Sequence, residues 1–295
     1  MDRSALVIYN PKSGRSRERS AGIEEFLRLL AKKSIRAEVR ATEQAGHASI
    51  LAREAVEQGF DLIVANGGDG TLNEVLQGIV GSSTALAVWP GGTANVVALD
   101  LKLPRKPDQI VELIASDSKK RVNVGRAGSR YFFFTAGIGL DAEIINRVSS
   151  ELKKQIGKGA FWLAGFSHLI KWEPTTIFLE IDGKEYEGTF VVIGKSFGYG
   201  GTLSLTPHAR LDDPHLDVCI FSGKSKLQYL NYLVAAIQKE QLKMEGVTYL
   251  KTEHVKATST KPLPIQVDGE VVCTLPTEFE VVKNAVTLYV PNGVL

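Results

Sequence analysis

Over the first 118 positions the apolar residues gather into short runs separated by stretches with helical spacing. Positions 5–9, 37–41, 62–65 and 85–89 read as strands, and the runs Ala-Leu-Val-Ile-Tyr and Leu-Ile-Val-Ala carry no polar face. Between them, 18–33, 47–58 and 72–80 read as helices; in the second of these Ile50, Leu51, Ala55 and Val56 recur at helical intervals. Shorter helices are expected at 96–99 and 108–115. Strand and helix in alternation, with buried strands, predict a parallel sheet covered on both faces. Such sheets bind ligands beyond the carboxyl ends of their strands.

After about residue 118 the pattern changes. Positions 122–124, 131–136, 176–181, 187–193, 216–221, 247–257, 265–267, 278–282 and 286–290 are β-branched or aromatic, and several alternate. Helices are expected at 142–149, 158–172 and 226–238. The fold class is therefore an α/β N-terminal domain over 1–118 followed by a mainly antiparallel, β-rich domain over 119–295, whose tail can pack back onto the first. No internal repeat or low-complexity segment interrupts either half.

Three unusual loops of the first half fall at strand carboxyl ends. Asn10-Pro11-Lys12-Ser13-Gly14 follows the first strand, Asn66-Gly67-Gly68-Asp69-Gly70-Thr71 the third, and Pro90-Gly91-Gly92-Thr93-Ala94-Asn95 the fourth. One left-handed turn needs one glycine, so three glycines within residues 67–70 indicate close backbone approach to something outside the chain. A strand-to-helix turn exposes N–H groups at a helix N-terminus, where the dipole favours an anion. A nucleotide phosphate suits it, although neither a Walker A loop nor a Gly-x-Gly-x-x-Gly turn is present. Taken singly, the Asn10 loop reads as a solvated turn and Asn95 equally as a cap of the next helix.

In the second half Gly137-Ile138-Gly139-Leu140-Asp141 lies between strand and helix, where Asp141 either complements the dipole or meets a ligand. Asp212-Asp213-Pro214-His215-Leu216-Asp217 carries three carboxylates in six residues, a composition that suits Mg²⁺ or Ca²⁺ but, taken alone, reads first as a turn with solvated side chains. Val267-Asp268-Gly269-Glu270 contains a strong hairpin signal; it accounts for Asp268 and Gly269, and leaves Glu270 as an exposed strand residue or a general base.

The composition excludes several classes. The chain of 295 residues is 44% hydrophobic and carries a net charge of +2, which does not indicate a nucleic-acid partner. Cys219 and Cys273 have no metal-type spacing and suit a reducing cytosol. No basic and apolar leader opens the sequence, and no run reaches the ~20 apolar residues of a membrane helix. Any membrane contact is expected to be peripheral, at the inner face.

The ordered set from Asn10-Pro11-Lys12-Ser13-Gly14 through Gly67-Gly68-Asp69-Gly70-Thr71 with Asn73 and Glu74, Pro90 to Asn95, Gly137 to Asp141, Leu211 to Asp217 and Val267 to Glu270 resembles the diacylglycerol kinase catalytic-domain family of soluble bacterial lipid kinases. The resemblance spans essentially the whole chain. It implies a Rossmann-like nucleotide domain, a β-sandwich-like second domain, and ATP in the cleft between them. It implies that Asn10, Pro11, Lys12, Ser13, Gly14, Thr42, Asn66, Gly67, Gly68, Asp69, Gly70, Thr71, Leu72, Thr93 and Asn95 serve the ATP site. Thr42 matches a family Thr before a Gly-x-Ala stretch, here Gly46-His47-Ala48. Glu270 matches the family's proton acceptor. The Asp213 turn resembles its structural Mg²⁺ loop, with the Asp213 side chain and the Arg210 and His215 carbonyls as ligands; Pro214 departs from the Gly common there.

On this reading Asp69 holds a catalytic Mg²⁺ or orients the acceptor, and Glu270 takes the proton of a lipid hydroxyl. Phe161, Trp162 and Phe166 are read either as shelter for the lipid chains or as ordinary core. The sequence leaves the acceptor lipid open and leaves room for a homodimer. The Gly-Gly-Asp-Gly-Thr turn is shared with NAD kinases, so an NAD kinase is one alternative and a non-catalytic nucleotide sensor another.

Overall fold

A computed structural model describes residues 3–13, 16–92, 95–139, 142, 174–197 and 204–295. Gly14, Thr93, Asp141, Phe161, Trp162 and Phe166 lie outside these, as do the helix expected at 158–172 and, Ala142 apart, that at 142–149. By internal contacts the chain forms two units, residues 1–124 with 282–295, and residues 125–281.

The first unit is built on β1 (Arg3–Tyr9), β2 (Ile35–Ala41), β3 (Leu62–Gly67) and β4 (Ala85–Pro90), all parallel, in the order β2-β1-β3-β4. The C-terminal end of β16 (Thr277–Tyr289) adds a further parallel strand, with Thr287 and Leu288 opposite Ala85 and Leu86. Helices α1 (Ser16–Lys32) and α5 (Pro107–Ala115) bury Phe26, Leu30, Ile110 and Ile114 against Val7, Val64 and Ala87. Phe26 stacks on Trp89 with ring centroids 4.5 Å apart. Helices α2 (His47–Glu57) and α3 (Asp69–Ile79) are joined where Gly78 packs against Ala52; a Cβ there would come within 2.7 Å of it. The short α4 (Val96–Asp100) follows the β4 loop.

In the second unit β12 (Val247–Thr252), β11 (Leu216–Phe221), β10 (Phe190–Gly194), β7 (Thr135–Ile138), β14 (Pro264–Val267) and β15 (Glu270–Thr274) form one antiparallel sheet in that order. A second antiparallel set comprises β8 (Ile177–Ile181), β9 (Lys184–Gly188), β13 (His254–Ser259) and the first residues of β16. A hairpin of β5 (Lys119–Ala127) with β6 (Arg130–Phe132) pairs Gly125 with Phe132 and Ala127 with Arg130. Inward-facing side chains of the two sets, among them Ile138, Leu179, Val191, Val218, Val255 and Phe279, share one apolar core. Helix α6 (Lys226–Ile237) covers the other face of the first sheet with Tyr229, Tyr232 and Ala236, and its N-terminus is closed by a capping box between Ser225 and Gln228.

Several runs that read as single strands, or as separate ones, divide differently. Residues 187–193 split at Thr189 into β9 and β10, and 247–257 split at Glu253 into β12 and β13, each pair in different sheets. Residues 278–282 and, Val290 apart, 286–290 instead belong to one strand, β16, in which Asn284 takes φ 50° and its N–H is held by Asn123 Oδ1 at 2.8 Å. Residues 131–136 likewise divide between β6 and β7.

Candidate functional site

Within the first unit the carboxyl ends of β1, β3 and β4 lie side by side, and backbone contacts tie their loops together. The Asn10 N–H donates to Asn66 O at 3.0 Å, Asn10 Nδ2 to Thr71 Oγ1 at 3.3 Å, and Gly91 N–H to Gly67 O at 2.8 Å. Asn10 Oδ1 accepts the Lys12 N–H at 2.9 Å and its carbonyl the Ser13 N–H at 3.1 Å, which curls the first loop beside the second. Thr42, buried after β2, donates its N–H to Tyr9 O at 2.9 Å. Pro11 and Lys12 are exposed.

The glycines are required by crowding. A Cβ on Gly67 would lie 2.5 Å from Thr71 Oγ1, and one on Gly92 would lie 2.5 Å from Gly68 Cα. Gly68 is the N-cap of α3, which begins at Asp69 and not at Leu72, so the motif is itself the first helical turn. The N–H groups of that turn have no carbonyl within the helix and point beyond the strand ends. Leu72 is buried at 4% exposure, so its side chain belongs to the core. Asn66 Oδ1 is buried and has no partner among the described residues, a cost that a donor arriving from outside would remove.

Asp69 and Asn95 each make contacts that tie the third- and fourth-strand loops together. Asp69 Oδ1 accepts the Val96 N–H at 2.7 Å, so one carboxylate joins the starts of α3 and α4. Burial raises its pKa, against the lowering effect of the Val96 and Asn95 N–H groups. Asn95, at φ 49°, makes no side-chain cap to α4; it accepts the Gly92 N–H at 2.9 Å and donates to Gly92 O at 2.6 Å. It holds the fourth-strand loop in shape. Glu74, from the same helix as Asp69, accepts the Ala48 N–H at 3.0 Å and so closes the start of α2 behind Gly46.

In the second unit Asp268 and Gly269, at φ 48° and 89°, form the two-residue turn between β14 and β15. Asp268 does more than turn the chain: its carboxylate accepts the N–H groups of Phe133, Phe134 and Thr135 at 3.0, 2.9 and 3.1 Å. Glu270 follows on the exposed start of β15, with Arg130 Nη2 at 3.4 Å from its Oε2.

The acidic loop is organised around a residue that sequence reasoning missed. Lys195, directly after β10 and fully buried, donates from Nζ to Arg210 O and to Asp213 O, the latter at 2.7 Å. Burial pushes its pKa down to about 8, against the pull of Asp213, Asp217 and Asp212. Asp213 Oδ1 accepts the His215 N–H at 2.9 Å and faces His215 Nδ1 at 2.9 Å, while its Oδ2 is held by Lys251 Nζ. Burial would raise the Asp213 pKa, but Lys251 and His215 outweigh it and hold the carboxyl at about 2. Asp212 pairs with Arg210. The available signal was a lysine directly after the apolar run Val191-Val192-Ile193-Gly194, where a charge demands a partner.

Residues 4–127 match the model of the diacylglycerol kinase catalytic domain, and 135–290 that of the YegS C-terminal NAD kinase beta sandwich-like domain. A diacylglycerol kinase of Staphylococcus carnosus is 30% identical, over 100% of this chain and 97% of its own. One of Bacillus subtilis is 30% identical over 93% of this chain and 92% of its own. A crystal structure of a diacylglycerol kinase from Bacillus anthracis superposes with a TM-score of 0.81 at 23% identity, covering 100% of this chain and 99% of that one, which establishes a shared fold.

Proposed function

Because the chain belongs to the diacylglycerol kinase catalytic-domain family, a family of lipid kinases, we propose that it transfers the γ-phosphoryl group of ATP to the hydroxyl of a membrane lipid, diacylglycerol or a related glycerolipid or sphingoid lipid. The observation that carries this reading is the glycine turn. The Gly68 and Gly92 backbones approach so closely that a Cβ on Gly92 would lie 2.5 Å from Gly68 Cα, at the N-terminus of α3 and near Asn66 Oδ1, which has no partner among the described residues. Phosphates fit such a cradle through N–H groups and the helix dipole. Asn10, Lys12 and Ser13 supply further polar groups on the adjoining loop, and Thr42 lies behind them.

Phosphoryl transfer needs in-line positioning and neutralised charge more than covalent chemistry. Mg²⁺ arriving with the nucleotide would supply part of that neutralisation. Asp69, one of whose oxygens is committed to Val96, is the carboxylate of the turn suited to hold that ion or to orient the acceptor. Glu270, exposed on its hairpin and anchored through Asp268, is the proposed acceptor of the hydroxyl proton. No helix among the described residues is long and apolar enough to cross a membrane, and we place the protein at the cytoplasmic membrane surface, where ATP and lipid meet.

The test is ATP turnover measured with mixed micelles of diacylglycerol, phosphatidylglycerol or a sphingoid base, with NAD, and with no acceptor. Turnover that follows the surface fraction of one lipid supports the proposal. Turnover with NAD alone, or nucleotide binding without transfer to any acceptor, overturns it.

A further inference from the structure

The loop from Arg210 to Asp217 has the oxygen-rich composition that suits a divalent cation, and the family resemblance makes it a Mg²⁺ loop. The Arg210 and Asp213 oxygens are already engaged by the chain. Arg210 O accepts both Lys195 Nζ and the Asp213 N–H, the latter at 3.2 Å, and a carbonyl has two lone pairs. Asp213 O accepts Lys195 Nζ at 2.7 Å. Of the Asp213 carboxylate oxygens, one serves His215 and the other Lys251. Asp217, also fully buried, accepts the Tyr249 hydroxyl at 2.8 Å on Oδ1; its Oδ2 makes no hydrogen bond among the described residues and has the Lys251 ammonium 3.8 Å away.

We infer that this loop carries its own cation: the Lys195 ammonium sits on the Arg210 and Asp213 carbonyls in place of a divalent metal, and Lys251 completes the neutralisation of the carboxylates. The charges agree. Asp212, Asp213 and Asp217 contribute three negative charges; Arg210, Lys195 and Lys251 contribute three positive ones. A dication added to this set would face a buried ammonium with no other place to go, since Lys195 is 0% exposed. Mg²⁺ also demands six oxygens at about 2 Å in near-octahedral order, and the oxygens of Arg210 and Asp213 with Asp217 Oδ1 meet ammonium, amide, imidazole and hydroxyl groups instead. Among the described residues no group of three or more His, Cys, Asp or Glu side chains converges as a metal site. The second unit is then built to fold without Mg²⁺, and any Mg²⁺ requirement of activity traces to the nucleotide.

The inference does not depend on the acceptor or on phosphoryl transfer, because its test reads stability and metal content in the absence of nucleotide. The full chain is stripped with chelator, analysed for bound metal, and melted with and without Mg²⁺ at matched ionic strength. The expected result is no stoichiometric divalent ion and a Tm that moves by no more than about a degree, since a ligand bound only by the folded state would raise it. A retained equivalent of Mg²⁺ or Ca²⁺, or a Tm that falls by several degrees on chelation and returns with Mg²⁺, overturns the inference. Lys195→Ala should melt lower than the wild type and regain part of the loss when Mg²⁺ is added, because the two carbonyls are then open to it. A Lys195→Ala protein as stable as the wild type, with or without Mg²⁺, also overturns it. Should that variant not fold, the wild-type measurements decide the question alone.

Discussion

The glycine turn of the first unit and the aspartate loop of the second are both polar turns next to a buried strand, and they use their polar groups in opposite directions. At Gly67 to Thr71 three of five side chains are withheld, the Gly68 and Gly92 backbones meet, and the helix start carries free N–H groups beside a buried acceptor, Asn66 Oδ1, unmatched among the described residues. At Arg210 to Asp217 the Arg210 and Asp213 carbonyls, both Asp213 carboxylate oxygens and Asp217 Oδ1 are filled from inside by Lys195, Lys251, His215 and Tyr249, while Asp217 Oδ2 makes no hydrogen bond among the described residues but has the Lys251 ammonium 3.8 Å away. A polar cluster marks a ligand site when its partners must come from elsewhere. When the chain supplies them, the same composition is a joint. Sequence composition alone does not separate these cases, because the filling residue can lie fifteen or more positions away, as Lys195 does from Arg210.

If that contrast holds, the chemistry of the second unit resides at Glu270 and not in the aspartate loop. The largest expected effect is therefore Glu270→Gln, which keeps size and polarity and cannot accept a proton. General-base loss commonly costs about 10²–10⁴ in turnover, so a fall within that range is expected with little change in ATP affinity. Steady-state kinetics against ATP and lipid reads both quantities. If ATP affinity collapsed while saturated turnover held, Glu270 would be a nucleotide or metal contact.

Asp69→Asn comes next. Replacement by alanine would mix two effects, since the carboxylate also holds the Val96 N–H. Asparagine keeps an oxygen for that bond and removes the charge. Turnover should fall about a hundredfold, roughly 3 kcal/mol of transition-state stabilisation, with the melting temperature nearly unchanged. A well-folded variant with near-normal turnover would leave Asp69 as a helix joint only, the same status as the aspartate loop.

Much of the first unit was legible because its inner strands β1, β3 and β4 are largely buried on both faces and its helices keep helical spacing. The convergence of the Asn10, Gly67 and Gly91 loops followed from their shared place at the carboxyl ends of parallel strands, and the contacts Asn10–Asn66 and Gly67–Gly91 realise it. What the pattern could not give was the partner of each run. Alternation reports which face a residue occupies and not which sheet it joins, so 187–193 and 247–257 read as continuous although Thr189 and Glu253 carry the chain from one sheet to the other. Thr189 marks its corner by donating Oγ1 to Gly223 O at 2.6 Å, a contact over 34 residues that no local window contains. The polar pair Lys283-Asn284 looked like a break and is an irregularity inside one strand, because Asn123 supplies the missing acceptor. Asp268 was legible as a turn residue, but its three N–H partners at 133–135 were not.

Gly92→Ala sharpens the contrast through the backbone. The added Cβ would have to lie 2.5 Å from Gly68 Cα and 3.1 Å from Asn95 Oδ1, so the two loops must separate. ATP affinity should weaken by about tenfold, roughly 1.4 kcal/mol, while the core of the first unit is untouched. Nucleotide titration by calorimetry measures it. Unchanged ATP binding would mean that the close approach of the two glycine pairs serves packing alone.

The smallest effect is expected from the other side of the comparison, at Lys251→Met. Lys251 is 40% exposed and bridges Asp213, whose side chain is 18% exposed, to the fully buried Asp217. An ion pair this open to water contributes about 0–1 kcal/mol. Lys195 still holds the Asp213 carbonyl from within, so the loop should keep its shape. Methionine retains the length of the stem and removes only the charge. The expected loss is therefore at most about 1 kcal/mol, a fall of a few degrees in Tm for a unit of this size, with turnover and ATP affinity unchanged. Melting curves and kinetics on the same preparation give both numbers. If turnover instead fell tenfold while Tm held, the aspartate loop would be acting on the reaction, and the division between an outward-facing turn and a self-filled joint would fail at the point where it is most easily tested.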